Sequence, residues 1–163
     1  AWQLDHWNNE LRDQLTLRRT DRHVTEVCGL RPLRVAADRI ALPALRTMAL
    51  LLRHGVGDRS GSDGARFFEV YPAGSLKQWQ LLSPPSYRGR SAPAGRRRHE
   101  IFARLHDRFG FRGGESATDS DHLLDALVAA ITAHLAATGR TIHPPAPDRR
   151  LARQEGWIHL PAV

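Results

Sequence analysis

The stretch that most constrains the fold is TDSDHLLDALVAAITAH, residues 118–134. At about 100° per residue, Leu124, Leu127, Val128, Ile131 and Leu135 fall within one narrow stripe, so the segment reads as a helix with one face in the core. Such a helix requires a second layer to cover its stripe. Asp121 and Asp125, one turn apart, lie at the edge of that stripe, and His122 points farther toward solvent. Asp119 and Asp121 suit the positive end of a helix dipole, and Thr118 or Ser120 can cap it. Asp125, already in the second turn, has no such explanation.

Two carboxylates at a packing seam repel each other and lose hydration. Without a cation between them they are expected to hold a proton more tightly than a solvated aspartate. Oxygen donors favour a hard ion such as magnesium or manganese. The competing account is a solvated helix end carrying ordinary surface acids.

The rest of the chain supplies helical periods and few strands. Residues 2–17 form an amphipathic pattern around Trp2, Leu4, Trp7, Leu11 and Leu15, followed by the arginine-rich TLRRTDRHV and a loop near Gly29 and Pro32. A second helix starts near Pro43 and runs through Leu45, Met48, Leu51 and Leu52, at core spacing, to Gly55. GVGDRSGSDG is a loop, and RFFEVYP reads as a strand with Phe67, Glu69 and Tyr71 on one face. AGSLKQW follows as a short helix. SPPSYRGRSAPAGRRR is a Pro, Gly and Arg-rich loop, helical spacing returns over 99–109, and a short helical turn precedes EGWIHLP.

At 163 residues, 41% of them hydrophobic, the chain holds one core, so residues 1–163 are expected to form a single domain. No run of apolar residues is long enough for a membrane span, and a lone Cys28 permits no intrachain disulfide and no thiolate zinc site. A soluble protein of the cytoplasm is the expectation. The net charge of +7 is the balance of 23 arginines and the single lysine, Lys77, against 17 acidic side chains, and suits an anionic partner such as DNA or RNA. Phosphate-loop, dinucleotide, HExxH and GxSxG patterns are absent.

DHLLDALVAAI resembles the last catalytic helix of RuvC-like and RNase H-like nucleases, which place an acid just before a DA dipeptide. The series LRRTDRHVTEVCGLRPLRVAADRIALPALR, FFEVYPAGSLKQW, SDHLLDALVAAI and RQEGWIHLP, in this order, is similar to the domain of unknown function 429 family, a predicted RNase H-like nuclease group. That resemblance implies a divalent-metal-dependent phosphodiester hydrolase using Mg2+ or Mn2+. Asp125 would be the metal-binding helix acid, Asp121 its neighbour on the same ion, and Glu69 a further acid beside the site. Arg18, Arg19, Arg22 and Lys77 are the candidates for phosphate contacts.

The chain also departs from that family. The strands that carry the family's first acids have no counterpart before residue 1, so the sequence reads as the C-terminal part of a longer protein. The fold expectation is therefore α/β but helix-rich, the C-terminal portion of an RNase H-like fold lacking most of its N-terminal sheet. Either a preceding segment or a second copy completes the layer, or the helices at 43–54 and 121–137 pack on each other. Three functions follow: a metal-dependent nuclease that is incomplete in this chain, a non-catalytic nucleic-acid-binding domain, or a protein-interaction domain.

Overall fold

A computed structural model describes residues 13, 16–33, 41–62 and 64–162. The amphipathic pattern assigned to 2–17 lies almost wholly outside the described residues. The described chain is helix-rich α/β: α1 Arg19–Cys28, α2 Ala41–Arg53, β1 Glu69–Val70, α3 Pro72–Gln78, α4 Ala92–Phe109, α5 Asp121–Ala137, α6 Arg149–Glu155 and β2 Ile158–His159. The two short strands form a two-stranded parallel sheet. No described helix is long and apolar enough to cross a membrane.

Two compact units emerge, one from the described residues of Ala1–Ser62 with Pro144–Ile158, the other from those of Asp63–His143 with His159–Val163. In the first, α1 packs on α6. Val24 and Thr20 are buried, the backbone N–H of Ile158 donates to the Thr20 hydroxyl at 2.7 Å, and His23 lies on Trp157 at 4.7 Å. Burial, and after it the nearby Arg19, holds the His23 imidazole below its usual pKa. Cys28 closes α1, buried, with its thiol directed at the Val24 carbonyl 3.0 Å away. The sequence reading leaves 18–28 as arginine-rich chain followed by a loop, whereas it is helical. Asp21 at the third helical position accepts from the Arg18 backbone N–H, and Gly29, at φ 69°, supplies the left-handed turn that stops the helix.

α2 departs from its expected role. Leu45, Met48, Leu51 and Leu52 have core spacing, yet no α2 residue is buried, and Leu42, Leu45, Leu50 and Leu52 are exposed. Within the second unit, α5 turns its stripe onto α3 and α4.

The second unit owns the main core, built from Leu76, Trp79, Leu81, Tyr87, Ile101, Leu105, Ala117, Leu124, Val128 and Leu135. Leu127 and Ile131 flank it, as the periodicity of α5 requires. Where α5 meets α3, Thr132 is wholly buried and satisfied twice, its hydroxyl donating to the Val128 carbonyl at 2.8 Å and lying 2.9 Å from the Ser75 hydroxyl, whose own proton can be donated back to it. Gly74 in α3 is there because a Cβ would lie 2.7 Å from Leu160 Cδ2 and 2.8 Å from Tyr71 Cδ1. RFFEVYP contributes only Glu69–Val70 as strand, since Pro72 already opens α3. α4 begins seven residues earlier than its apolar spacing shows, because Ser91 caps it by accepting from the Ala94 N–H and Pro93 occupies the first turn.

Candidate functional site

The early start of α4 creates the site. It turns Arg98, read from the sequence as part of a basic loop, inward to 7% exposure. There the guanidinium meets no carboxylate among the described residues. Nε donates to the Thr118 carbonyl at 2.8 Å, and Nη1 to the carbonyls of Tyr87 at 3.0 Å and Gly89 at 2.9 Å. One buried cation thus ties the loop at 87–89 to the segment that leads into α5.

That loop lies against the head of α5. Ser120 caps the helix by accepting from the Leu123 N–H at 3.2 Å. Asp121 accepts from the Gly89 N–H at 3.3 Å, which holds its carboxyl below the ordinary aspartate range. The expectation that this acid retains its proton is thereby reversed, because a donor rather than a second carboxylate is its nearest partner. Asp125 Oδ1 accepts from the Tyr87 hydroxyl at 2.8 Å, and Arg88 Nη2 stands 3.7 Å from Asp125 Oδ2. Arg88 also donates to the Tyr87 oxygen at 3.3 Å through Nε and packs over the phenol ring.

Tyr87 is 3% exposed, and burial, helped by the hydrogen bond and charge of Asp125 and opposed by Arg88, pushes its hydroxyl up to about 12. It remains a donor at neutral pH. The Arg88 guanidinium is held charged more firmly than usual by its hydrogen bond to Tyr87 and then by Asp125. The arrangement fixes one carboxylate oxygen of Asp125 and leaves the other facing a solvent-reaching cation, with Asp125 28% and Arg88 57% exposed.

Of the expected site residues, Asp121 and Asp125 are brought to one loop. Glu69 is exposed on β1, and among the described residues no group of three or more His, Cys, Asp or Glu side chains gathers where it could hold a metal ion. The donor set does not fit magnesium alone: two carboxylates fall short of six oxygens, the phenol is protonated, and a guanidinium already faces Asp125. Arg18 bonds Asp21 and the Glu155 carbonyl, while Arg19 pairs with Asp148 at 2.8 Å and with Glu26. Arg22 reaches the Leu17 carbonyl at 3.4 Å, and Lys77 is exposed in the last turn of α3. Arg18 and Arg19 are thus engaged by the protein's own oxygens, whereas Arg88, Arg90, Arg96, Arg104 and Arg112 are exposed around the second unit.

Tyr87, Arg88 and Arg98 are the residues that sequence reasoning missed. The one available signal was Ser91-Ala92-Pro93, a cap followed by a first-turn proline, which extends the helix through Arg98.

The family model described as "Protein of unknown function (DUF429)" matches residues 7–150. None of the curated proteins and none of the solved structures matches the chain.

Proposed function

Because the chain belongs to the DUF429 family, we propose that it acts in divalent-metal-dependent cleavage of nucleic-acid phosphodiesters, with Asp125 as the helix acid and Arg88 as a phosphate contact. The resemblance of α5 to the last catalytic helix of RNase H-like nucleases supports this reading. The observation that carries it is the partly exposed Asp125 carboxylate, oriented by a buried tyrosine and set beside an outward guanidinium. Arginine can bind a phosphate through two parallel hydrogen bonds, so a backbone phosphate drawn to Arg88 would come to rest next to Asp125. A divalent ion at this place would need further oxygen ligands beside these carboxylates. Asp121 and Asp125 would be only part of its ligand set, and the chain's own residues serve to orient the acid and attract the phosphate.

Incubation with single- and double-stranded DNA and RNA, with magnesium or manganese, tests the reading. Cleavage that disappears in Asp125→Asn while binding persists supports it; cleavage that survives the substitution overturns it. A second reading has its own observation. Tyr87 and Arg88 already satisfy Asp125, which suits a non-catalytic nucleic-acid-binding domain, and salt-dependent binding without cleavage in any metal would favour that alternative.

A further inference from the structure

A cleft of about 230 Å³ opens at the other end of α5, lined by Trp79, Arg108, Phe109, Leu135, Arg140 and Pro161, with Ala162 beside them. It belongs to the second unit alone. Ten residues separate Asp125 from Leu135, which places the cleft about 15 Å along the helix from the Asp125 carboxylate. It is therefore distinct from the head of α5.

Its floor is apolar and rigid. Trp79 is 5% and Leu135 4% exposed, and the Trp79 and Phe109 rings meet at 5.1 Å with a tilt of 59°. Its rim is cationic, with Arg108 and Arg140 exposed on it and the backbone of Arg140 held in place. Gly139 at φ 70° turns the chain out of α5, so that the Arg140 N–H donates to the Leu135 carbonyl at 2.8 Å, and the Ala162 N–H donates to the Arg140 carbonyl at 3.1 Å. Arg108 stands over the Phe109 ring, its guanidinium carbon 5.7 Å from the centroid.

A cation near a helix C-terminus can serve the helix itself by meeting the last carbonyls. Neither guanidinium does so: among the described residues, neither the Arg108 nor the Arg140 guanidinium has a carbonyl or carboxylate partner. This contrasts with Arg18, Arg19, Arg97 and Arg98, each of which is engaged by protein oxygens. Two exposed guanidinium groups with no protein oxygen partner among the described residues, set at the mouth of an aromatic cleft, suit an anion that carries an apolar body. The volume sets the size of that body. It exceeds the roughly 150 Å³ that accommodates a benzene ring and falls below the roughly 300 Å³ at which drug-sized pockets begin.

We propose that this cleft binds a nucleotide through its base and its phosphate, with only the base seated inside. The ring lies against Phe109, Leu135 and Pro161, and the phosphate sits between Arg108 and Arg140. The ligand is either a free nucleotide or the phosphorylated end of a strand, since both present the same ring and the same anion. The site stands whether or not Asp125 takes part in cleavage.

Titration of the protein with phenyl phosphate, followed through the Trp79 indole N–H and the Ala162 amide by NMR, tests it. Saturable shifts at both signals are expected, with benzyl alcohol and inorganic phosphate each binding at least about tenfold more weakly, because each lacks one half of the recognition. Arg108→Gln and Arg140→Gln should each weaken phenyl phosphate about tenfold. Ala162→Trp, a change at an exposed position, should fill the mouth and abolish binding with an unchanged Tm. Absence of saturation at millimolar phenyl phosphate, inorganic phosphate binding equally well, or full binding by Ala162→Trp would each overturn the proposal. Tighter binding of a 5′-phosphorylated tetranucleotide than of the mononucleotide supports a strand-end site. The reverse order supports a free-nucleotide site.

Discussion

The heads of α1 and α5 are built from the same ingredients, arginines and aspartates around the first helical turns, but combine them differently. At α1, cation meets anion: Arg18 lies on Asp21, and Arg19 on Glu26 and Asp148. The charges cancel and the result is a fastening. At α5, Arg98 binds only carbonyls, Asp121 a backbone N–H and Asp125 a phenol, so that the charge is distributed but not neutralised. Arg88 is the one cation that approaches Asp125 among the described residues, and it does so from solvent. The contrast teaches that a count of basic residues says little about binding. What matters is whether each guanidinium is already satisfied by an anion of its own protein.

The largest expected effect comes from Arg98→Met. It removes three charge-assisted hydrogen bonds and leaves three carbonyls without their donor, at a cost of about 3–5 kcal/mol of unfolding free energy by urea denaturation. A loss under about 1 kcal/mol would show that the loop at 87–89 is held by something else. Arg18→Ala should cost less, about 2 kcal/mol, because the Asp21 side chain, only 5% exposed, is deprived of its partner. If Arg18→Ala proved the more damaging of the two, the contrast between the two helix heads would fail.

Tyr87→Phe should cost about 1 kcal/mol. It releases Asp125, so cleavage should fall further than stability does. The same phenol gives a signal in pH. Its folded value of about 12 lies above the ordinary 10.0, so its stabilising contribution is complete below pH 10 and disappears as the pH rises toward 12. Of the two tyrosines in the sequence, one should form tyrosinate late in an ultraviolet titration, and Tyr87→Phe should remove that late step.

The smallest effect on stability is expected from Arg88→Gln with Arg90→Gln, both exposed, yet this pair should lower the salt slope of nucleic-acid binding by about one for each backbone phosphate that is no longer neutralised. Replacing Arg18, Arg19 and Arg22 should instead act mainly through stability. A salt slope that responds to the α1 arginines and not to Arg88 and Arg90 would invert the assignment.

These predictions rest on features that the sequence revealed unequally. The stripe of α5 was legible because Leu124, Val128 and Leu135 recur at the helical period, and their burial depends on little else. The position of Asp125 at the edge of that stripe was legible for the same reason. Its partners were not, since Tyr87 lies 38 residues away and is brought in by a loop whose shape depends on Arg98. α2 shows the converse limit. Its leucines have the spacing of a core helix, but periodicity reveals only that a face is apolar, not that anything covers it.

Cys28 makes the first unit observable without any added probe. It is the only cysteine of the chain, buried at the last turn of α1, with its sulfur directed back at the Val24 carbonyl. A thiol reagent can reach it only when that turn opens, so the rate of alkylation divided by that of an unfolded control measures the fraction of time α1 spends frayed. Followed during the titrations above, the same sulfur separates a substitution that loosens the first unit from one that acts at the head of α5.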